Sequence, residues 1–290
     1  MPSSLVKRPK ELIIIDGNIG DTESILSNLK ENQSYIILSD GNGFAPLLEY
    51  LEISGTEWSA FHFITHGSDA AFTLNGTTVS GNNLCSEEWL NIGKYLTDDG
   101  DILFYGCNIP ASDEGKTLMN TIAGLTGADT AASVDTTGFG GNNILEYFSG
   151  TIETASVLPE TFSQSLELIQ NQLTIATDAD PTYENATFSA PSCTSDGGAV
   201  YNGGTFTANS CTFSGNMAGI LSKGGAISQS GSQSLVVIRN SSFLTASDTI
   251  YIEGGSATFG GKIFLAGNLY SKNALWILNT IFSCILLNLF

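Results

Sequence analysis

The run Asp101-Ile102-Leu103-Phe104-Tyr105-Gly106-Cys107 is apolar at consecutive positions and stops at a glycine and a cysteine. A strand with no polar alternation is buried on both faces, as in a parallel sheet covered on both sides. Working outward, residues 12–15 form a similar run ending at Asp16-Gly17, and residues 35–38 end at Ser39-Asp40-Gly41. Residues 60–64 lead into His66-Gly67, and residues 130–134 run into Asp135. Amphipathic stretches lie between them: 22–30, with Ile25, Leu26 and Leu29 at helical spacing, 45–51, and 116–125, stopped by Thr126-Gly127. Residues 144–148 and 151–154 suit a terminal hairpin around Ser149-Gly150. Strands alternating with helices predict an α/β domain with a doubly wound, mostly parallel sheet. A mixed α+β sheet is the alternative.

Composition limits what this chain can do. Its 290 residues carry 29 acidic and 10 basic side chains, net −19. Such a chain repels phosphate backbones, and no basic cluster offsets the charge locally, so nucleic-acid binding is excluded. No GxGxxG follows a strand and no GxxxxGK is present, so nucleotide cofactors are not expected. Five cysteines form no CxxC pair and leave one over, which argues against a disulfide scaffold or a zinc ribbon. The basic start is followed by only four apolar residues, 12–15, too few for a signal-peptide core. The apolar stretch 274–290 has 17 residues and includes Asn279 and Asn288, short of the ~20 that cross a bilayer. No transmembrane span is expected.

In a parallel α/β sheet, ligands meet the carboxyl ends of the strands where strand order reverses. The exits here are Asp16, Asp40, His66-Gly67, Gly106-Cys107 and Asp135. A thiol becomes nucleophilic when an imidazole takes its proton, and a helix N-terminus favours the thiolate. Ser112 or Asp113 could cap the helix that follows Cys107. Main-chain N–H groups at Gly67 and Cys107 are candidates for holding an oxyanion. His62 and His66, four apart on a strand, lie ~13 Å apart, so no zinc site is expected. The runs Asp16–Asp21 and Asp178–Asp180 are oxygen-rich like calcium loops but match no EF-hand, and plain turn chemistry is favoured.

Ile64-Thr-His66-Gly67-Ser68-Asp69, Gly100-Asp101-Ile-Leu-Phe-Tyr-Gly106-Cys107-Asn108, Leu125-Thr-Gly127-Ala128-Asp129-Thr-Ala-Ala-Ser133 and Gly140-Gly-Asn-Asn-Ile-Leu-Glu146 resemble one family over roughly residues 10–155. It is an uncharacterised-function domain at the N-terminus of large bacterial, notably cyanobacterial, adhesin-like repeat proteins. That domain in turn resembles the caspase–gingipain superfamily of cysteine peptidases. The resemblance implies a caspase-like sheet, with His66 as general base and Cys107 as nucleophile. The caspase signature Gln-Ala-Cys-x-Gly is absent, and no arginine lies in residues 9–155, so an aspartate-binding pocket is not expected. Asp16 and Asp135 are instead candidates to receive an Arg or Lys of a substrate. The competing reading is a degenerate site, with Cys107 a small buried hydrophobe.

The second half is compositionally different. Residues 1–160 hold 22 acids and 6 bases (6 − 22 = −16), and residues 161–290 hold 7 acids and 4 bases (4 − 7 = −3). Phe213 precedes Gly224-Gly225-Ala226-Ile227 by 11 residues, Phe243 precedes Gly254-Gly255 by 11, and the copies are 30 apart. An earlier copy runs from Phe188 to Gly197-Gly198, and residues 275–282 echo 235–243. A fixed period with strand-sized apolar triplets and Gly-Gly turns predicts a right-handed parallel β-helix; an antiparallel sandwich is the alternative. These motifs resemble the repeats of polymorphic outer-membrane and adhesin-type passenger domains. The expected plan is a caspase-like domain over 9–157, a linker over 158–182, and a β-helix over 183–290 that stops mid-rung, as in a truncated product.

Two functions remain open at this level. One is a Cys–His endopeptidase cutting its own chain or a basic site in another polypeptide. The other is a non-catalytic adhesion module, with surface polysaccharide as a candidate ligand of the β-helix. Neither needs a cofactor. The resemblance implies an extracellular or cell-surface location, reached by a route other than an N-terminal signal peptide.

Overall fold

The computed structural model describes residues 10–162, 164–189, 193, 195–220, 222–244, 247–283 and 286–289. The basic start, Cys284 and Phe290 lie outside the described residues. The chain divides into two compact units, Met1–Glu167 and Leu168–Phe290.

The first unit is α/β. Its strands β1 (Glu11–Asp16), β2 (Gln33–Leu38), β3 (Trp58–Ile64), β7 (Leu96–Tyr105), β8 (Asp129–Ala132) and β9 (Tyr147–Ser149) form one sheet in the order β2-β1-β3-β7-β8-β9. All pairings are parallel except β8 with β9. Strand order reverses at β1 and β3, so the carboxyl ends of β1, β3 and β7 gather Asp16, His66 and Cys107. A separate antiparallel sheet, β4 (Gly67–Ser68), β5 (Ala71–Leu74) and β6 (Thr77–Ser80), follows β3 directly. It was not legible beforehand, because its strands have two to four residues.

Consecutive apolar strand residues do face opposite sides. Leu12, Ile14, Phe61, Phe63, Ile102 and Phe104 pack with one cluster, while Ile13, Ile15, Ile64, Leu103 and Tyr105 pack with another. The first face is covered by α2 (Ala45–Ser54), α3 (Ser86–Gly93) and α4 (Asp113–Thr126) through Leu47, Trp89 and Met119. Helix α4 starts at Ser112, whose hydroxyl accepts from the N–H of Gly115 (3.2 Å), and stops at Gly127 with φ 76°. The second face differs from the expected helical cover. Among the described residues only α1 (Thr22–Leu26) lies there, joined by Leu145, Leu158, Phe162 and Leu166. The expected linker over 158–182 is therefore corrected: its first part packs into this core, and residues 168–169 and 173–175 are strands of the second unit.

In the second unit, short strands pair in parallel with strands one repeat on. Thr187 aligns with Thr212 and Thr212 with Ser242, steps of 25 and 30 residues. Val200 aligns with Ile227 and Ile227 with Ile250 in a second parallel sheet. Phe188, Phe213 and Phe243 occupy one column, their rings stacked at 4.7 and 4.4 Å. The phenylalanines of the repeat are thus equivalent positions in successive layers, and Gly197-Gly198 is equivalent to Gly224-Gly225. Gly254-Gly255 is corrected: Ile227 aligns with Ile250, so residues 247–248 replace Gly224-Gly225 in the next layer, and Gly254-Gly255 turns the chain after residues 250–253 instead. The unit is a curled stack of parallel strands around one apolar core.

Candidate active site

Two strand exits are pressed together at the site. A Cβ on Gly67 would lie 2.7 Å from the Cys107 carbonyl oxygen and 2.8 Å from the Gly106 carbonyl carbon, so only glycine lets β3 and β7 end this close. The approach aims two main-chain donors at one point. The N–H of Gly67 (2.8 Å) and the N–H of Cys107 (3.3 Å) both donate to the carbonyl oxygen of Leu166. These are the two N–H groups expected to form an oxyanion hole, and a carbonyl of the chain itself sits between them.

Leu166 belongs to a segment, residues 164–167, that lies in the site and makes two isolated β-bridges. The N–H of Leu166 donates to the Thr137 carbonyl (3.1 Å), and the N–H of Phe139 donates to the Gln164 carbonyl (2.8 Å). Ser165 bridges Gly138 in antiparallel fashion, and Glu167 bridges Gly67 in parallel. Gly138, at φ 84°, has to be glycine: a Cβ there would collide with the Gln164 carbonyl. Extended main chain held on one side by an antiparallel loop is how a peptide adds to a sheet edge. The Leu166 side chain is fully buried in the apolar cluster with Ile15, Ile19, Tyr105, Cys107 and Phe162.

The Cys107 thiol is fully buried. It accepts from the N–H of Thr137 (3.1 Å) and donates to the Thr137 carbonyl (3.5 Å), and it also bonds the main chain of Leu166 and the hydroxyl of Ser165. Burial pushes its pKa up to about 11, outweighing those bonds, with the nearby Glu167 carboxylate raising it further. The expected thiolate next to a helix N-terminus is thus corrected: desolvation dominates and the thiol is protonated at neutral pH. The His66 imidazole is buried as well, and burial lowers its pKa to about 4 against bonds to the main chain of Asn18 and Glu167. Among the described residues the thiol's hydrogen bonds do not include His66. The cysteine touches the main chain of Leu166 and the histidine touches that of Glu167, so the pair borders two consecutive residues of one segment.

The expected specificity residues lie elsewhere. Asp16 is fully buried, its carboxylate accepting from the N–H groups of Asn18 and Asn75, both at 2.9 Å. Burial raises its pKa to about 6. It is corrected from a substrate-binding residue to a turn-forming one: it shapes the loop whose Asn18 main chain holds His66. Asp135 is exposed and its carboxylate accepts from Ser133 (3.2 Å) and Asn142 (3.1 Å), so it too is a loop brace. No acidic pocket for an Arg or Lys is formed by this pair. Bonds from Asn18 and Asn75 also occupy the Asp16 carboxylate against the calcium reading. The three carboxylates that do converge among the described residues are Asp101, Asp129 and Glu153, within 4.8 Å of one another. Asp101 Oδ2 there accepts from the N–H groups of Glu153 and Thr154. His62 is a core residue, with Nδ1 at 3.0 Å from the Tyr105 hydroxyl. No helix of the described residues is long and apolar enough to cross a membrane.

Residues 12–168 match the model of one protein family, described as a domain of unknown function (DUF4347). The matched region runs past the sheet and takes in the segment 164–167. No curated protein and no solved structure matches the chain.

Proposed function

The chain belongs to the family described as a domain of unknown function (DUF4347), and from the geometry of its site we propose that it is a Cys–His endopeptidase that processes its own chain. One observation carries the reading: a peptide carbonyl oxygen accepts from the N–H groups of Gly67 and Cys107 beside the Cys107 thiol. That is the arrangement an acyl-transfer site presents to a substrate. Cys107 is the nucleophile and His66 the base that takes its proton and returns it to the leaving amine. Thiol and imidazole are both uncharged in the closed site, so the proton leaves as sulfur attacks rather than beforehand, and turnover is slow.

The finer reading of the fold follows the same line. A sheet in the order β2-β1-β3-β7-β8, with His-Gly and Gly-Cys at adjacent exits, supports a caspase-like domain. In-register parallel strands at repeat spacing support a β-helix in the second unit. A peptidase head on an adhesin-like β-helix fits a secreted or cell-surface protein.

The test compares wild type, Cys107→Ala and His66→Ala for proteolysis, by intact mass of the chain and by cleavage of an added unfolded protein. Cys107-dependent cleavage slowed at least about 100-fold in His66→Ala is expected. Identical behaviour of all three proteins would leave a non-catalytic surface module and end the peptidase reading.

A further inference from the structure

We infer that the scissile bond is Leu166–Glu167, held in the site of its own domain, and that the pocket beside the nucleophile selects a large apolar residue rather than a basic one. This rests on the peptidase reading above. The carbonyl that would become the oxyanion is already in place, since Leu166 O accepts from Gly67 and Cys107. The residue before the bond is anchored by its own N–H on Thr137, and the residue two before it by Phe139. The thiol accepts from the main-chain N–H of Leu166 and the imidazole donates to the main-chain carbonyl of Glu167, so nucleophile and base bracket the two residues that the bond joins. The leucine side chain packs in an apolar cluster, and Asp16, one of the expected acidic partners, is committed to main-chain N–H groups. The bond also joins the last two residues of the first compact unit, so cutting it leaves every strand of the second unit whole.

The chemistry balances. Cys107 Sγ attacks the Leu166 carbonyl carbon while the thiol proton passes to His66, and the oxyanion is held by the N–H groups of Gly67 and Cys107. Collapse breaks the Leu166–Glu167 C–N bond, and His66 protonates the departing nitrogen, which becomes the amino group of Glu167. The Cys107–Leu166 thioester is hydrolysed by a water that gives its proton to His66, leaving a Leu166 carboxylic acid and the thiol. The only co-reactant is water. Holding the bond in cis replaces a bimolecular encounter, so the rate is independent of protein concentration.

The experiment follows the full-length chain after purification by intact mass and N-terminal sequencing, with Cys107→Ala, Leu166→Met and Leu166→Asp alongside. A peptide ending in Gln-Ser-Leu before an acyloxymethyl ketone serves as a thiol probe. Expected are two fragments, the second beginning at Glu167, formed with first-order kinetics and absent in Cys107→Ala. Leu166→Met should cleave within about tenfold of wild type, because volume is conserved. Leu166→Asp should be slowed at least about 100-fold by burying a charge. A Cys107-dependent cut at any other bond overturns this inference and leaves the peptidase standing. So does an uncut chain whose Cys107 is labelled by the probe in a His66-dependent way. An uncut chain with an inert Cys107 ends both.

Discussion

A buried, protonated thiol under a segment of its own chain should be hard to alkylate, and the size of the effect can be worked out. Burial puts Cys107 at about 11, against ~8.5 for an ordinary thiol. At pH 7.5 its thiolate fraction is then roughly 300-fold lower than that of an ordinary cysteine. A more basic thiolate is a better nucleophile, and with a Brønsted slope of ~0.45 that recovers roughly tenfold. The chemical contribution is therefore about 30-fold, and any further slowing measures how completely the segment 164–167 excludes reagent. Exposed Cys85 is the internal reference. The assay treats the chain with iodoacetamide at pH 7.5, isolates the uncleaved band and quantifies label on both cysteines by peptide mass spectrometry. Cys107 should lag Cys85 by at least about 30-fold, and raising the pH to 9.5 should increase its rate about 100-fold, tracking the thiolate. A Cys107 rate within threefold of Cys85 would refute both the burial account and the placement of the segment.

Gly138→Ala puts a Cβ at φ 84° against the Gln164 carbonyl. It should displace the segment, speed Cys107 alkylation at least about tenfold and slow self-cleavage, at a stability loss of about 1–2 kcal/mol in denaturant. The pH dependence of stability should depend on Asp16. His66, lowered to about 4, contributes stability that is present above its unfolded value near 6.5 and lost as pH falls through 4. Asp16, raised to about 6, has the opposite sign: the fold favours its protonated form, so it adds stability as pH falls from 6 toward 3.8. Each amounts to about 3 kcal/mol, so they nearly offset in wild type. Urea titrations of Asp16→Asn should therefore lose about 3 kcal/mol more than wild type between pH 6.5 and 4; parallel curves would dismiss the linkage. In the second unit, Phe213→Ala removes a buried ring stacked on Phe188 and Phe243. It should cost about 3–5 kcal/mol, seen in limited proteolysis as loss of the second unit while a fragment ending near residue 167 survives.

Much of the fold was legible because burial on both faces leaves a strong mark. The runs 12–15, 60–64 and 101–105 could be placed as central parallel strands, and their exits named His66 and Cys107 before any coordinates. The phenylalanine spacing likewise placed Phe188, Phe213 and Phe243 in equivalent positions. Short strands were not legible, since β4–β6 have two to four residues and no period to detect. Asp16 and Asp135 are ambiguous in the sequence for a different reason. A carboxylate at a strand exit reads the same whether it faces a ligand or accepts from the N–H groups of its own loop. Only the positions of Asn18, Asn75 and Asn142 decide between those roles.

The sequence by itself determined which residues stand at the strand exits: continuous apolar strands bury a sheet, and a histidine and a cysteine at their ends then lie along one edge of it. The tertiary structure alone decided what lies between them. Leu166 is 59 residues after Cys107 and 100 after His66 (166 − 107 and 166 − 66), in a stretch that reads as linker. It is held there by main-chain bonds to Gly67, Cys107, Thr137 and Phe139. Every residue but proline carries the same N–H and carbonyl, so pairing of this kind leaves no residue code to read, and the occupant of the site became visible only once the chain had closed on itself.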